Sequence, residues 1–455
     1  MLTDLANFID CSPLCSTHEH TEYEHYYRAS KPDVLTHLFD NYVIHDLQSA
    51  GAKESQLAAL IDPSNDDVEH RFRSIQPYWD KIQQTGYADA VMLTAKRLFE
   101  IDELTAERIM AAQRASHFTG KEDERLTLLK GIGGLDHVQI DTNSRPFPPE
   151  MIGQDFFLYD LNMFDFAAGN PDFDLIESQL GVEVTSLEAL ESAIGTLFTI
   201  SAPYAVAVKT QHAYARTLKW SPHSNEDAAR SFEKIRQVGA KTSEADRLCL
   251  GDWCLSRIAA MCALHNLPLK IHTGYFAKNN FMPSENLRAG NLDALIKANP
   301  STRFVLMHIA YPHSDELIAL AKHYTNVSID MCWAWSINPL HAGDFLRRYL
   351  HAAPKNKLFI FGGDAHLPAA SVGYSLQCRK WFGRTLQKEI SDDLMTEDQA
   401  IALARFFMTE NPFDYYDLLN KKSALRSATM ESIAASGHER AFGAPPKGIR
   451  DSGKA

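Results

Sequence analysis

The chain has 455 residues, of which 45% are hydrophobic and 23% are charged, and its formal net charge is −13. This composition is typical of soluble globular proteins, and the negative charge argues against nucleic-acid binding and docking on an anionic membrane, because both require a cationic face. The N-terminus lacks the features of a signal peptide, and no apolar run reaches the ~18 residues that cross a bilayer. The 7 cysteines contain no CxxC pair. We therefore expect a cytoplasmic protein with reduced thiols that acts on a small molecule, and homo-oligomerisation remains open.

The first predicted strand ends in STHEHT, which carries His18 and His20. Residues two apart in a strand face the same side, so both imidazoles are able to reach one point. After a loop that runs to residue 29, residues 30–130 carry apolar side chains at three-to-four spacing, as amphipathic helices do. We predict a helical insertion there, which either covers a site as a lid or forms a dimerisation surface.

Short apolar runs then alternate with helical patterns. The runs are HVQID, FFLYD, YAVAVK, LPLKIHTG, RFVLMHIA, NVSIDM and KLFIFGGDAH. Such alternation is typical of parallel sheets covered on both faces. With the opening strand it makes eight βα units, which predicts a (β/α)8 TIM barrel of the α/β class, built from residues 1–29 and 131–420 and followed by a loose extension at 421–455. An open doubly wound sheet is the alternative, but no glycine-rich phosphate loop follows the first strand.

Polar side chains stand where these strands end, which is where barrel enzymes carry their chemistry. The later strands deliver Lys209, His272, His308 and Asp364. Each of them alone is compatible with a half-buried polar residue without a function. Together with the histidine pair on the first strand, the set predicts a site for a divalent metal, because imidazole and carboxylate are ligands of zinc and similar ions.

This order of residues resembles the amidohydrolase superfamily, and more narrowly its amidohydrolase-related (amidohydrolase 2) branch. The closer resemblance covers most of residues 135–390 and lies in VKTQHAYAR, LPLKIHTGY, NPSTRFVLMHIAYPH, NVSIDM and FGGDAH. It implies one or two divalent ions at the barrel mouth, with zinc as the default and manganese or iron(II) compatible with the same ligands. By position, His18, His20 and His272 are then ligands, and Asp364 is a ligand or the catalytic base. His308 either binds a second ion or faces the substrate and the attacking water.

Three roles remain open for Lys209 at the end of the fourth strand. Two-metal members of the superfamily often carry a carboxylated lysine there, which bridges the ions. A bare ammonium would instead bind a substrate carboxylate, and the neighbours Tyr214 and Arg216 favour this role because they look like an anion-binding set. The third role is a structural ion pair.

Tyr275 and His366 follow metal-ligand candidates in sequence and are further candidates for substrate binding. The leading hypothesis is a metal-dependent hydrolase that uses a metal-activated water to cleave an amide, ester or lactone bond of a small, carboxylate-bearing substrate. The alternative is a decarboxylase or sugar-acid isomerase on the same metal barrel. A non-enzymatic scaffold is a third class, but the complete set of candidate ligands argues against it.

Overall fold

The computed structural model describes residues 3–115, 120–142, 150, 152–277 and 280–428. Within these residues eight parallel strands form one sheet in chain order. They are β1 Leu14–Glu19, β2 Leu135–Thr142, β3 Phe157–Asn162, β4 Ala205–Thr210, β5 Leu269–His272, β6 Phe304–Met307, β7 Val327–Asp330 and β8 Leu358–Phe359. Each of the seven predicted runs overlaps one of these strands, so the prediction of a (β/α)8 barrel is confirmed.

Backbone hydrogen bonds bring the segment after β8 back to β1. Thr17 N donates to Phe361 O at 2.9 Å, Asp364 N donates to His18 O at 3.0 Å, and His20 N donates to Ala365 O at 3.0 Å. The first and last strands therefore meet, and their polar ends lie side by side at one mouth of the barrel. Nearly every strand residue is buried, because helices cover the outer face and side chains fill the interior.

Helical residues run from Glu24 to Ile132 between β1 and β2, against the predicted range 30–130. The helices are α2 Glu24–Ser30, α3 Val34–Phe39, α4 Val43–Ser49, α5 Glu54–Leu60, α6 Val68–Ile82, α7 Gly86–Phe99, α8 Ala106–Ala115 and α9 Glu124–Leu126, and α1 Asp4–Cys11 precedes β1. A π-helical turn at Thr127–Ile132 ends the insertion.

The remaining helices cover the outside of the barrel. They are α10 Phe164–Ala167, α11 Phe173–Leu180, α12 Leu187–Ser201, α13 Asn225–Val238, α14 Glu244–Leu264, α15 Asp293–Ala298, α16 Ser314–His323, α17 Ala334–Ile337, α18 Pro339–Leu350, α19 Pro368–Ser391, α20 Glu397–Arg405, α21 Asn411–Tyr415 and α22 Leu418–Ser427. Helices α10 to α18 lie between β3 and β8, and α19 to α22 follow β8. Of the predicted extension 421–455, residues 429–455 lie outside the described ranges. None of the described helices has the length and apolar character needed to cross a membrane.

Close packing fixes the insertion to the barrel. Helix α7 approaches α19 so tightly that a Cβ on Gly373 would lie 2.1 Å from Thr94 Oγ1, which only glycine avoids. Further along α19, the Gln377 amide donates to Gly86 O at 2.7 Å. The insertion therefore lies against the helix that follows β8, and this position brings its residues to the barrel mouth.

Candidate metal centre

The predicted polar set converges at the C-terminal ends of the strands. Asp364 Oδ1 lies 3.1 Å from His18 Nε2 and 3.1 Å from His20 Nε2, so one carboxylate oxygen faces both imidazoles of the β1 pair. The rings of His18 and His20 are 4.7 Å apart between centroids. Residues separated by more than three hundred positions in the chain thus meet at one point.

His272 and His308 complete the cluster from the neighbouring strands. Their ring centroids are 4.3 Å apart, and the His308 ring lies 6.1 Å from that of His18. His272 Nε2 is 3.1 Å from Tyr275 O. Both ring nitrogens of His308 are buried without a hydrogen-bond partner in the described part of the chain. An unpaired buried polar atom is costly, so these nitrogens are suited to a bound ion or substrate.

The electrostatics keep His18 and His272 neutral, whereas at His20 burial acts against protonation but the hydrogen bond to Asp364 prevails and raises the pKa. Burial, together with the nearby ammonium of Lys209, lowers the pKa of His18 to about 3 and that of His272 to about 3. Burial acts against ionisation of Asp364, but the contacts with His18 and His20 prevail and hold its pKa well below the ordinary value. Neutral imidazole and ionised carboxylate are the protonation states that bind metal ions.

Lys209 lies within the cluster and is nearly inaccessible to solvent. Its Nζ is 3.3 Å from His18 Nε2, 3.2 Å from Gln211 Oε1 and 3.5 Å from Asp141 Oδ2. Asp141 is the next-to-last residue of β2, and burial would raise its pKa, but the charge of Lys209 lowers it. Lys209 is therefore surrounded by candidate ligands.

A buried carboxylate holds the β8 segment in place. Glu19 accepts hydrogen bonds from Gly363 N at 3.0 Å, from Ala365 N at 3.1 Å and from Ser371 Oγ at 2.9 Å. These bonds flank Asp364 on both sides. Glu19, which lies between the two histidines in sequence, thus acts from behind the site as a positioning residue.

Aromatic residues from the insertion and from the strand-end loops form a wall beside the cluster. Trp333, after β7, lies 5.7 Å from His308 between ring centroids and 4.1 Å from Tyr42, which precedes α4. Tyr87 of α7 and Tyr275 lie 6.1 and 6.3 Å from the same indole. The Tyr42 hydroxyl donates to the carbonyl oxygen of Asp364. The insertion therefore shapes the barrel mouth.

The predicted substrate-binding residues divide into two groups. Tyr214 and His366 lie near the cluster, at 4.7 Å from the ring of His272 and 6.5 Å from that of His20 respectively. Tyr275 belongs to the aromatic wall.

Arg216 corrects the prediction of an anion-binding set with Lys209 and Tyr214. Its buried guanidinium pairs with Asp252 of α14 and donates to the carbonyl oxygens of Thr217 and Lys219. An arginine whose donors are taken by the protein stabilises the fold and has little left to offer a ligand. The sequence could not show this ion pair, because Asp252 lies on a helix that follows later in the chain.

Two further residues of the cluster escaped the sequence analysis. Asp141 ends the run HVQID as Asp364 ends FIFGGD, and the same strand-end argument applied to β2 would have found it. Cys332 follows β7, and its sulfur and donor atoms of His308 and Asp364 lie within 4.8 Å of one another. Its sequence context gives no comparable signal.

The residues present fit a divalent metal ion. Donor atoms of His18, His20 and Asp141 lie within 4.8 Å of one another, and His272, His308 and Asp364 stand beside them. Nitrogen and carboxylate donors, two of them in an HxH pair on one strand, form a set that binds zinc and related ions. His308, with two unpartnered buried nitrogens, supports this assignment independently of the sequence motif.

Comparison with known proteins gives a family model that matches part of the chain and solved structures that share its fold. The family model described as amidohydrolase matches residues 198–403. Protein fluG of Emericella nidulans is 26% identical over 380 residues, which are 80% of this chain, and the chain spans 40% of the length of that relative.

Two solved structures share the architecture over nearly the whole chain. Glucuronate isomerase from Caulobacter crescentus superposes with a TM-score of 0.72 at 15% identity, covering 91% of this chain and 93% of its own. Uronate isomerase from Thermotoga maritima gives 0.70 at 12% identity, covering 90% and 96%. At these identities the likeness shows the fold alone. The match to the amidohydrolase family model covers residues 198–403, which is less than half of the chain, and the eight-stranded barrel agrees with the fold of these two structures.

Proposed function

We propose that the protein is a metal-dependent hydrolase that cleaves an amide, ester or lactone bond of a small substrate with oxygen-rich groups. The observation that carries this proposal is the convergence of His18, His20, His272, His308 and Asp364, in which both ring nitrogens of His308 have no partner in the described part of the chain. Zinc is the ion we expect, and one or two ions are compatible with the number of donors.

Residues of the barrel mouth would hold the ion and move the protons. His18, His20, His272 and Asp364 are the proposed ligands, and Lys209, if carboxylated, would join them. A divalent ion held by these residues would supply a water acidified to a pKa of about 7 and would polarise a carbonyl oxygen. Asp364 accepts the proton that the attacking water loses and passes it to the leaving group. His308 donates a hydrogen bond to the oxygen on which negative charge develops.

The aromatic wall indicates the polarity of the substrate. The Tyr87 hydroxyl and Trp333 Nε1 are buried and have no hydrogen-bond partner in the described residues. Both groups donate hydrogen bonds, so they suit hydroxyl or carboxylate oxygens of a bound molecule. The rings around them exclude water, which strengthens the electrostatic interactions of the site.

Sugar-acid isomerisation is the second candidate. It is favoured by one observation: the two solved structures that match over most of the chain are described as a glucuronate and a uronate isomerase. An isomerase would use the same donors to move a hydrogen between neighbouring carbons, and it would consume no water. Decarboxylation also remains compatible with these residues, and it would release carbon dioxide.

The test begins with the purified protein and its metal content per chain. The metal is removed with a chelator and zinc, manganese or iron(II) is restored, and each form is assayed with amides, esters, lactones, aromatic acids and uronic acids in ¹⁸O-labelled water. Hydrolysis places one ¹⁸O in the product for each bond cleaved, whereas isomerisation requires none. A protein that binds no metal, or that is equally active without it, would contradict the proposal.

Asp102→Asn serves as a matched control for Asp364→Asn in these assays. Asp102 lies on the surface and pairs with Lys96 at 2.9 Å, and both side chains are largely exposed to solvent. The same chemical change should therefore leave activity unaltered there. Loss of activity in both variants would show that the effect does not come from the site.

A further inference from the structure

Three consecutive strand ends bring different donor types together. His308 follows β6, Cys332 follows β7 and Asp364 follows β8. A ring nitrogen, the sulfur and a carboxylate oxygen of these residues all lie within 4.8 Å of one another, and all three side chains are buried. Ligand atoms of a tetrahedral zinc ion, bonded at about 2.0–2.3 Å, are roughly 3.3–3.8 Å apart, so this set needs to contract by no more than about 1.5 Å.

The backbone and its neighbours permit this approach of the sulfur. Cys332 has a φ of 45°, and its amide donates to Asp330 Oδ1 at 2.8 Å. Opposite the sulfur stands Gly362, where a Cβ would lie 3.0 Å from Cys332 Sγ and 2.9 Å from His18 N. Glycine at this position thus leaves room for the thiol beside the β8 segment.

An independent observation points to a ligand at the same place. Both ring nitrogens of His308 are buried and have no hydrogen-bond partner among the residues that the structure describes. A buried imidazole normally bonds through at least one nitrogen. One of these nitrogens faces the sulfur and the Asp364 carboxylate, so an ion between the three groups would satisfy it.

A second cysteine cluster provides a contrast. Cys15, Asp136 and His137 also have donor atoms within 4.8 Å of one another, at the N-terminal ends of β1 and β2. There, Asp136 Oδ1 already accepts hydrogen bonds from Lys422 Nζ at 2.5 Å and from His137 Nδ1 at 2.9 Å. Its carboxylate is neutralised by the protein itself, and this cluster needs no ion.

We propose that Cys332 is a thiolate ligand of the active-site metal, in a nitrogen, sulfur and oxygen set with His308 and Asp364. This inference rests on the proposed metal-dependent function, adds Cys332 to the ligands, and makes His308 a ligand through the ring nitrogen that faces the sulfur, while its other ring nitrogen is left to donate the hydrogen bond proposed above. On binding, the thiol releases its proton to solvent and the sulfur donates an electron pair to the ion. Thiolate is a soft ligand, so the site prefers zinc or cobalt(II) to manganese or magnesium.

The test replaces the native metal of the full-length protein with cobalt(II). Elemental analysis gives cobalt per chain, and the absorption spectrum shows whether a sulfur-to-cobalt charge-transfer band is present. We expect the band in the unmodified protein and in Cys15→Ser, and its absence in Cys332→Ser. Zinc affinity should fall by at least about 100-fold in Cys332→Ser, the upper end of the loss seen when only a supporting partner of a ligand is removed.

X-ray absorption of the zinc-loaded, unmodified protein is a second readout that needs no variant. A zinc–sulfur shell at about 2.3 Å, beside nitrogen and oxygen at about 2.0–2.2 Å, supports the proposal. Bound metal without a sulfur shell or band overturns the role of Cys332 and leaves the metal-dependent function standing. Loss of the band in Cys15→Ser also overturns it. A protein that takes up no metal overturns both proposals.

Discussion

Two polar layers of the barrel differ in how their charges are satisfied. Two residues before His272 on β5, Lys270 faces the barrel interior, where its ammonium donates to Thr17 O at 2.7 Å, Gln139 Oε1 at 2.7 Å and Asp160 Oδ2 at 2.8 Å. All three protons of this cation have acceptors within the protein. In the mouth layer above it, His308 has no partner in the described residues. The inner layer is complete in itself, whereas the mouth layer keeps buried ring nitrogens that have no hydrogen-bond partner in the described residues.

Replacement of Asp364 by asparagine should give the largest effect, and it tests whether the mouth layer serves chemistry. We expect kcat to fall by about 10²–10⁴-fold, because the variant loses the group that accepts and delivers the proton. Metal content should fall as well, since Asp364 contacts both histidines of β1. Activity assays, elemental analysis and thermal unfolding on the same preparation check this. An unchanged kcat would mean that the mouth layer does not serve the chemistry, so that the two layers would not differ in function.

Lys270→Met tests the inner layer, where we expect a loss of stability without a loss of metal. Removing one partner of a buried ion pair leaves Asp160 uncompensated, so the free energy of unfolding should fall by about 3–5 kcal/mol. Metal content of the folded protein should stay the same. Chemical denaturation measures the free energy of unfolding, and elemental analysis measures the metal content.

The double variant Lys270→Met with Asp160→Asn is the control for this effect. It removes both charges and should recover part of the lost stability, because no unpaired ion remains buried. A double variant less stable than Lys270→Met would show that the pair itself, and not the stranded carboxylate, accounts for the loss.

The pH dependence of stability compares the insertion with the mouth layer, because both contain buried histidines whose pKa values are lowered. His37 of α3 lies in the insertion, and burial lowers its pKa to about 4, against the pull of Asp33. The unfolded chain therefore binds a proton that the folded chain does not. The contribution of His37 to the free energy of unfolding should be full above pH 6.5 and fall by up to about 3 kcal/mol as the pH drops towards 4.

His37→Gln should make this part of the stability profile less steep by the share of one histidine, as measured by denaturant unfolding between pH 4 and 7.5. The remaining slope comes from the buried histidines of the mouth layer, whose pKa values are also lowered. A slope that is unchanged in the variant would mean that His37 takes up no proton on unfolding.

Metal removal should give the smallest change in the free energy of unfolding. An ion that binds only the folded protein stabilises it by about 2.7 kcal/mol when free metal is 100 times the Kd, so chelation should lower the Tm and added zinc should restore it. The shift should persist in Lys270→Met and disappear in Asp364→Asn. Equal shifts in both variants would mean that the ion lies outside the mouth layer.

The sequence could predict the barrel and most of its mouth because both depend on local patterns. Apolar runs followed by helical spacing mark the strands, and the residue at the end of each strand is fixed by the chain itself. This is why His18, His272 and Asp364 could be placed together before the structure was known.

Partners that come from distant elements could not be predicted in this way. Arg216 binds Asp252 on α14, and Tyr42 reaches the carbonyl of Asp364 from the insertion. Such contacts depend on how helices pack, and the periodicity of the sequence carries little information about that. Cys332 escaped for another reason: a single cysteine after a strand is most often inert, and only its distance to His308 and Asp364 gives it meaning.

The hydrogen bonds between β1 and the segment after β8 have a consequence for synthesis on the ribosome. His18 and His20 are made more than three hundred residues before Asp364. At about 5–20 residues per second, the histidine pair waits roughly 17–70 s for the carboxylate opposite it. The contact of Asp364 with both histidines therefore forms only when the segment after the last strand reaches β1.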